Sequence, residues 1–155
     1  MFYSSTVQSA HKTVDQMNNQ PPAGFFRIIG SIFYDALLLG AVLFFASFVF
    51  LLIPDELQHH PYMEILKVSW YILVSYTYFT GFWLRGHQTP GMKSWKIQLV
   101  RTDGSLPNLG QVSLRFLSSI LSWLILGLGF AWIIVDSKKR SLHDYLSGTR
   151  LIHIK

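Results

Sequence analysis

RIIGSIFYDALLLGAVLFFASFVFLLI, residues 27–53, decides the fold. Ala36 to Ile53 carries no charge, and 18 residues of helix rise about 27 Å, close to the thickness of a bilayer core. Pro54 ends the run. Asp35 sits inside it, where a carboxylate costs roughly 2.5–3.5 kcal/mol on insertion scales. Arg27, Ser31 and Asp35 are spaced i, i+4, i+8, so on a helix they form one polar line. The stretch therefore predicts a first spanning helix over about 27–53 with a polar line along one side.

The rest of the composition agrees. Hydrophobic residues make up 50% of the 155 and charged residues 14%, against about 25% charged in soluble domains. Mean hydropathy is +0.32. Twelve Phe, seven Tyr and five Trp suit lipid contact and interfacial anchoring. With no cysteine, disulfides, thiolate metal sites and cysteine nucleophiles are excluded. The net charge is +5. Because the basic residues flank apolar runs, anionic lipid headgroups explain the charge better than nucleic acid, and no nucleic-acid partner is expected.

Outward from the first span, residues 1–22 read as a flexible tail ending at Pro21-Pro22, without the apolar region of a cleavable signal. Asp55–Glu64 is a short acidic loop, and a second spanning helix is expected over about 65–84. Trp70, Tyr71, Phe82 and Trp83 lie near its ends. The polar segment 86–111 contains a strand-like alternation at Trp95, Ile97 and Leu99, then an Asp103-Gly104 turn signal. A second β-like run covers Thr149–Ile154. Between these runs, 112–135 is a third apolar segment. Its first half bears a polar stripe of Arg115, Ser118, Ser119 and Ser122 at helical spacing.

Charge chooses the topology. If 112–135 is a re-entrant hairpin bending at Gly127–Gly129, every basic residue except Lys67 falls on one side, which is twelve of the 13. The alternative is a single tilted third span. The hairpin lets the two β-runs pair. The fold class expected is thus an all-α membrane protein: two full transmembrane helices, a third apolar segment, and a small two-stranded cytoplasmic β element.

Several stretches together resemble the RDD family of integral membrane proteins, named for one arginine and two aspartates. They are Ala23-Gly24-Phe25-Phe26-Arg27 with Asp35, Gly86-His87-Gln88-Thr89-Pro90-Gly91-Met92-Lys93, the strand and turn of Ile97–Leu106, and Arg115. Asp136, Arg140-Ser141-Leu142-His143-Asp144 and Leu146-Ser147-Gly148-Thr149 resemble the family's closing signature. The likeness spans Ala23 to Ile154, residues 23–155 forming the membrane domain. It maps the arginine and first aspartate onto Arg27 and Asp35, and the second onto Asp144, with Asp136 the other position. Met92 and Trp95 depart from the common pattern and mark a subgroup. The resemblance implies a multi-pass protein of the bacterial inner membrane with a cytoplasmic N-terminus, for which transport is proposed.

Asp35 has two readings. It is either a titratable group on an ion or proton path, served by Arg27, Ser31 and Arg115, or half of a buried ion pair with Arg27 or Arg115 that fixes helix packing. Arg115 is expected to point inward at Asp35. Arg27 is about 12 Å of rise away and could instead reach headgroups. Lys138, Lys139 and Arg140 are lipid-contact candidates, at roughly 1 kcal/mol per cation near an anionic surface. His143-Asp144 comes without a serine-nucleophile motif, Glu56, His59, His60 and Glu64 form no convincing metal set, and Gly91-Met92-Lys93-Ser94 is no phosphate loop. No catalytic residue, metal or cofactor is expected. Two functions follow. One is transport of an ion or small solute with Asp35 as the working carboxylate. The other is a non-catalytic scaffold or docking module that binds lipids or a partner protein. The partners expected are membrane lipids and either a second copy of the chain or another membrane protein.

Overall fold

Phe25 to Ser47 forms helix α1, which continues as a 3-10 turn from Phe48 to Leu52 before Pro54 stops it. The computed structural model describes residues 16–17, 19–58, 60–124 and 142–154. After a short helix α2 (Asp55–Gln58), α3 runs from Pro61 to Arg85, with Pro61 in its first turn, where a missing N–H costs nothing. It is longer than the expected 65–84 because His60 and Pro61 supply a start that the hydropathy does not mark. The loop after it holds an element absent from the sequence reading, the five-residue helix α4 (Pro90–Ser94), begun by Thr89 and Pro90. Strand β1 (Ile97–Arg101) follows, then α5 (Leu109–Leu124), α6 (Leu142–Ser147) and β2 (Thr149–His153). Residues 125–141 lie outside the described residues. The Gly127–Gly129 bend, Asp136 and Lys138, Lys139 and Arg140 fall there.

The two strands pair antiparallel with Leu99 opposite Leu151 and Arg101 opposite Thr149. The chain entering α1 is stitched to their edge. Pro22 bridges to Ile152, Ala23 N–H donates to Leu151 O at 3.0 Å, and His153 N–H donates to Pro21 O at 2.9 Å. Farther up the expected tail, Arg150 Nη2 donates to Met17 O at 3.4 Å. Ile97, Leu99, Val112, Phe116, Trp83, Met92 and Ile28 make a small apolar core where the sheet meets the helix ends.

Away from that core the usual pattern is inverted. Ser31, Asp35, Thr80, Thr89, Arg115, Ser118, Ser122 and Asp144 are buried, while Phe26, Phe33, Leu37, Phe44 and Phe45 on α1 and Leu52 in the 3-10 turn after it are exposed. On α5 the polar stripe faces in, and Leu114, Leu117 and Leu121 face out. Burying polar groups and exposing phenylalanines is unfavourable in water and ordinary in lipid. Among the described residues, one helix, Phe25–Leu52, is long and apolar enough by composition to cross a membrane.

Candidate functional site

Asp35 lies on the inner face of α1, 5% exposed. Its partners come from the Thr89–Met92 turn. The Thr89 hydroxyl donates to Asp35 Oδ2, and the Gly91 N–H donates to Asp35 Oδ1 at 2.9 Å. Thr89 Oγ1 in turn accepts from Met92 N–H at 3.2 Å, capping α4. Asp35 thus satisfies an orphan amide and a hydroxyl at the start of a short helix. Gly91 is required for this approach. A Cβ there would overlap the Ser31 carbonyl oxygen and stand 2.7 Å from Asp35 Cγ. Gly30 does the same for the Trp95 indole, whose ring occupies the space a side chain would need. The Tyr78 hydroxyl interacts electrostatically with Asp35 from α3 but has no well-aligned hydrogen-bond partner.

The arginines do not meet Asp35. Arg115, 3% exposed, makes an ion pair with Asp144 at the start of α6, and its Nη1 also donates to Thr149 Oγ1 at 2.9 Å. The guanidinium lies 5.4 Å from the centroid of the Trp83 ring, within cation–π range. The expected inward turn of Arg115 is present, but its carboxylate is Asp144. The reason is position: α6 and β2 return beside α5 and bring Asp144 and Thr149 to it. Arg27 is exposed on its own turn of α1 and donates to Trp95 O at 3.2 Å. Ser31 is buried but donates to Ile28 O at 2.8 Å within its helix, so it bridges nothing. The polar line of α1 is therefore three separate contacts. Among the described residues Asp35 makes no ion pair.

A cavity of about 540 Å³ opens between α1, α3 and α5, closed at the sheet end by Thr89, Met92 and Leu151. Asp35, Ser31, Ser75, Ser119, Thr89 and Arg115 supply its polar groups; Ile28, Ile32, Ile72, Phe79, Phe116 and Ile120 supply apolar wall. Sequence reasoning placed Thr89, Gly91 and Thr149 in the family-like motifs and Trp83 near a helix end, but assigned none of them, nor Tyr78, to this site. Thr89-Pro90 carried a usable signal, an N-cap residue followed by proline. In the first two turns of α3 Glu64 pairs with Lys67 at 3.1 Å, and the ring of His60, the residue before the helix, stacks on Tyr62 with centroids 4.9 Å apart. Among the described residues no three His, Asp or Glu side chains are grouped to hold a metal.

The model of one protein family, the RDD family, matches residues 22–148. No curated protein and no solved structure matches the chain.

Proposed function

The chain belongs to the RDD family, and on that premise we propose that it is a multi-pass inner-membrane protein that moves an ion or small solute through the cavity beside Asp35. The observation that carries this reading is the partner set of Asp35. The carboxylate is buried, lines the cavity, and meets a hydroxyl and an amide, with no cation among the described residues. A carboxylate held by an arginine keeps its charge. One held by neutral donors can take up a proton on Oδ2 and return the hydrogen bond to Thr89 Oγ1, which accepts as well as donates.

In this reading α3 is the second span, and the N-terminus, 86–111 and the C-terminus face the cytoplasm. Support comes from the twelve-to-one division of basic residues and from the pairing of β1 with β2, which brings both ends of 109–147 to one face. Arg115 holds the wall of the cavity through Asp144, and Lys138, Lys139 and Arg140 contact anionic headgroups. A second copy or another membrane protein completes the path, since one chain of this size encloses little by itself. The protein is read as non-enzymatic. Labelling of single cysteines in spheroplasts tests the orientation: Leu146→Cys is expected to stay unreactive to an impermeant reagent, and Leu57→Cys to react. The reverse pattern contradicts the assignment.

A second reading has its own observation. Both oxygens of Asp35 serve to seat α4 against α1, as a clamp in a docking scaffold would. Ion flux into liposomes separates the two. With folded proteins, Asp35→Asn should abolish pH-gradient-linked cation flux and Asp35→Glu should retain part of it. If the wild type moves no monovalent cation, or Asp35→Asn moves it normally, the scaffold reading leads.

A further inference from the structure

A donor stands beside Asp35 that the hydrogen bonds of the carboxylate do not use. Tyr78 reaches it from α3, and the Tyr78 hydroxyl is buried without a hydrogen-bond partner among the described residues. Buried polar groups left open are uncommon and need an explanation. Such a hydroxyl has lost its water and regains nothing until an acceptor turns to it. The acceptor at hand is Asp35. An ionised carboxylate offers about four lone-pair sites, and Thr89 and Gly91 take one on each oxygen. Room for a third donor therefore remains on the anion.

The surroundings leave this role to Tyr78. Its ring meets Phe79 and Phe82 edge-on, with centroids 5.2 and 5.1 Å away. It borders a hollow of about 460 Å³ that shares no lining residue with the cavity beside Asp35, so a solute in that cavity does not displace it. The charged groups nearby are engaged or turned away. Arg115 on α5 pairs with Asp144, Arg27 on α1 is exposed and donates to Trp95 O, and Lys93 on α4 and Arg85 at the end of α3 are exposed. Tyr71, also on α3, packs against Phe50. Resting on the reading that Asp35 changes its charge, we propose that Tyr78 is a positioning residue for the exchange. Its hydroxyl donates to Asp35 when the carboxylate ionises, as a third donor beside Thr89 and Gly91, and is released when the carboxyl takes up its proton. A hydrogen bond to an ionised acceptor is about twice as strong as one to a neutral acceptor, so Tyr78 favours the ionised form.

The test is a pH titration of the full chain in liposomes, followed by infrared difference spectroscopy. The Asp35 carboxyl band is the one missing from Asp35→Asn. Tyr78→Phe keeps the ring and its contacts with Phe79 and Phe82 and deletes the donor. The midpoint of the Asp35 band should then rise by about one pH unit, a tenfold gain in proton affinity. In the wild type a phenol C–O signal should change in step with that band, and it should be missing from both Tyr78→Phe and Asp35→Asn. A purely packing role for Tyr78 would lower stability and leave the midpoint in place. If Tyr78→Phe does not fold, 3-fluorotyrosine at position 78, a stronger donor of nearly the same shape, decides the matter, and the midpoint should fall. A wild-type band whose midpoint stays put in the folded variant, or a phenol signal that persists in Asp35→Asn, overturns this proposal alone. A wild type without an Asp35 band overturns it together with the transport reading.

Discussion

Asp35 and Asp144 are both nearly inaccessible, 5% and 1% exposed, yet they are held in opposite ways. Asp144 faces a buried guanidinium that also binds Thr149. Asp35 faces the Thr89 hydroxyl and the Gly91 amide. The first arrangement fixes a charge and ties α5 to α6 and β2. The second fixes a shape and sets no cation against the carboxylate among the described residues. Burial alone does not assign a carboxylate its role; the identity of its donors does.

The largest effect is expected where compensation is strongest. Asp144→Asn or Arg115→Gln leaves an unpaired buried charge or a broken network, at about 3–5 kcal/mol, and the double variant should lose less than the sum. Thermal unfolding in detergent measures all three, and strict additivity would contradict the pairing. Gly91→Ala comes next. A methyl forced against the Ser31 carbonyl and Asp35 should cost about 1–3 kcal/mol as overpacking. A folded Gly91→Ala protein of unchanged stability would mean that α4 sits looser on α1 than described.

Asp35→Asn should be milder, about 1 kcal/mol, because the amide can accept from Gly91 N–H and donate to Thr89 Oγ1, much as a protonated carboxyl would. Combined with Arg115→Gln it should be additive within about 0.5 kcal/mol, since the described contacts of the two residues share no partner. A coupling well above that would restore a direct interaction between them. The smallest effect belongs to a solvent-facing carboxylate. The Ser105 hydroxyl, then its backbone N–H, then Arg101 at 3.5 Å hold Asp103 below the usual carboxylate range. A depressed group stabilises the fold above its unfolded value and loses that contribution as pH falls through its folded value. Because Asp103 is exposed and screened, Asp103→Asn should change stability by only about 0–1 kcal/mol at neutral pH, and less at acid pH.

The sequence was most readable where one force dominates. Hydrophobic length alone located α1 and most of α3; alternation with a turn signal located β1, and a β-like run at the end of the chain located β2 and allowed their pairing. The inward polar stripe of α5 was legible from its 3.6-residue period. The partners of Asp35 were not: they lie 54 and 56 residues away, on a loop whose family-like motif named Thr89 and Gly91 without indicating what they touch. Arginine was the natural partner to expect for a buried carboxylate. Long-range packing instead gave Arg115 to Asp144 and left Asp35 with neutral donors. Periodicity identifies which residues turn inward; it carries no information on which of them meet.

The most direct measurement is pH-difference infrared spectroscopy on the protein in liposomes, read for carboxyl groups that gain and lose a proton. If Asp35 can change its charge, a protonated-carboxyl band should appear on acidification in the wild type and be missing from folded Asp35→Asn. A wild-type spectrum without such a band, or one that survives unchanged in Asp35→Asn, would contradict the account.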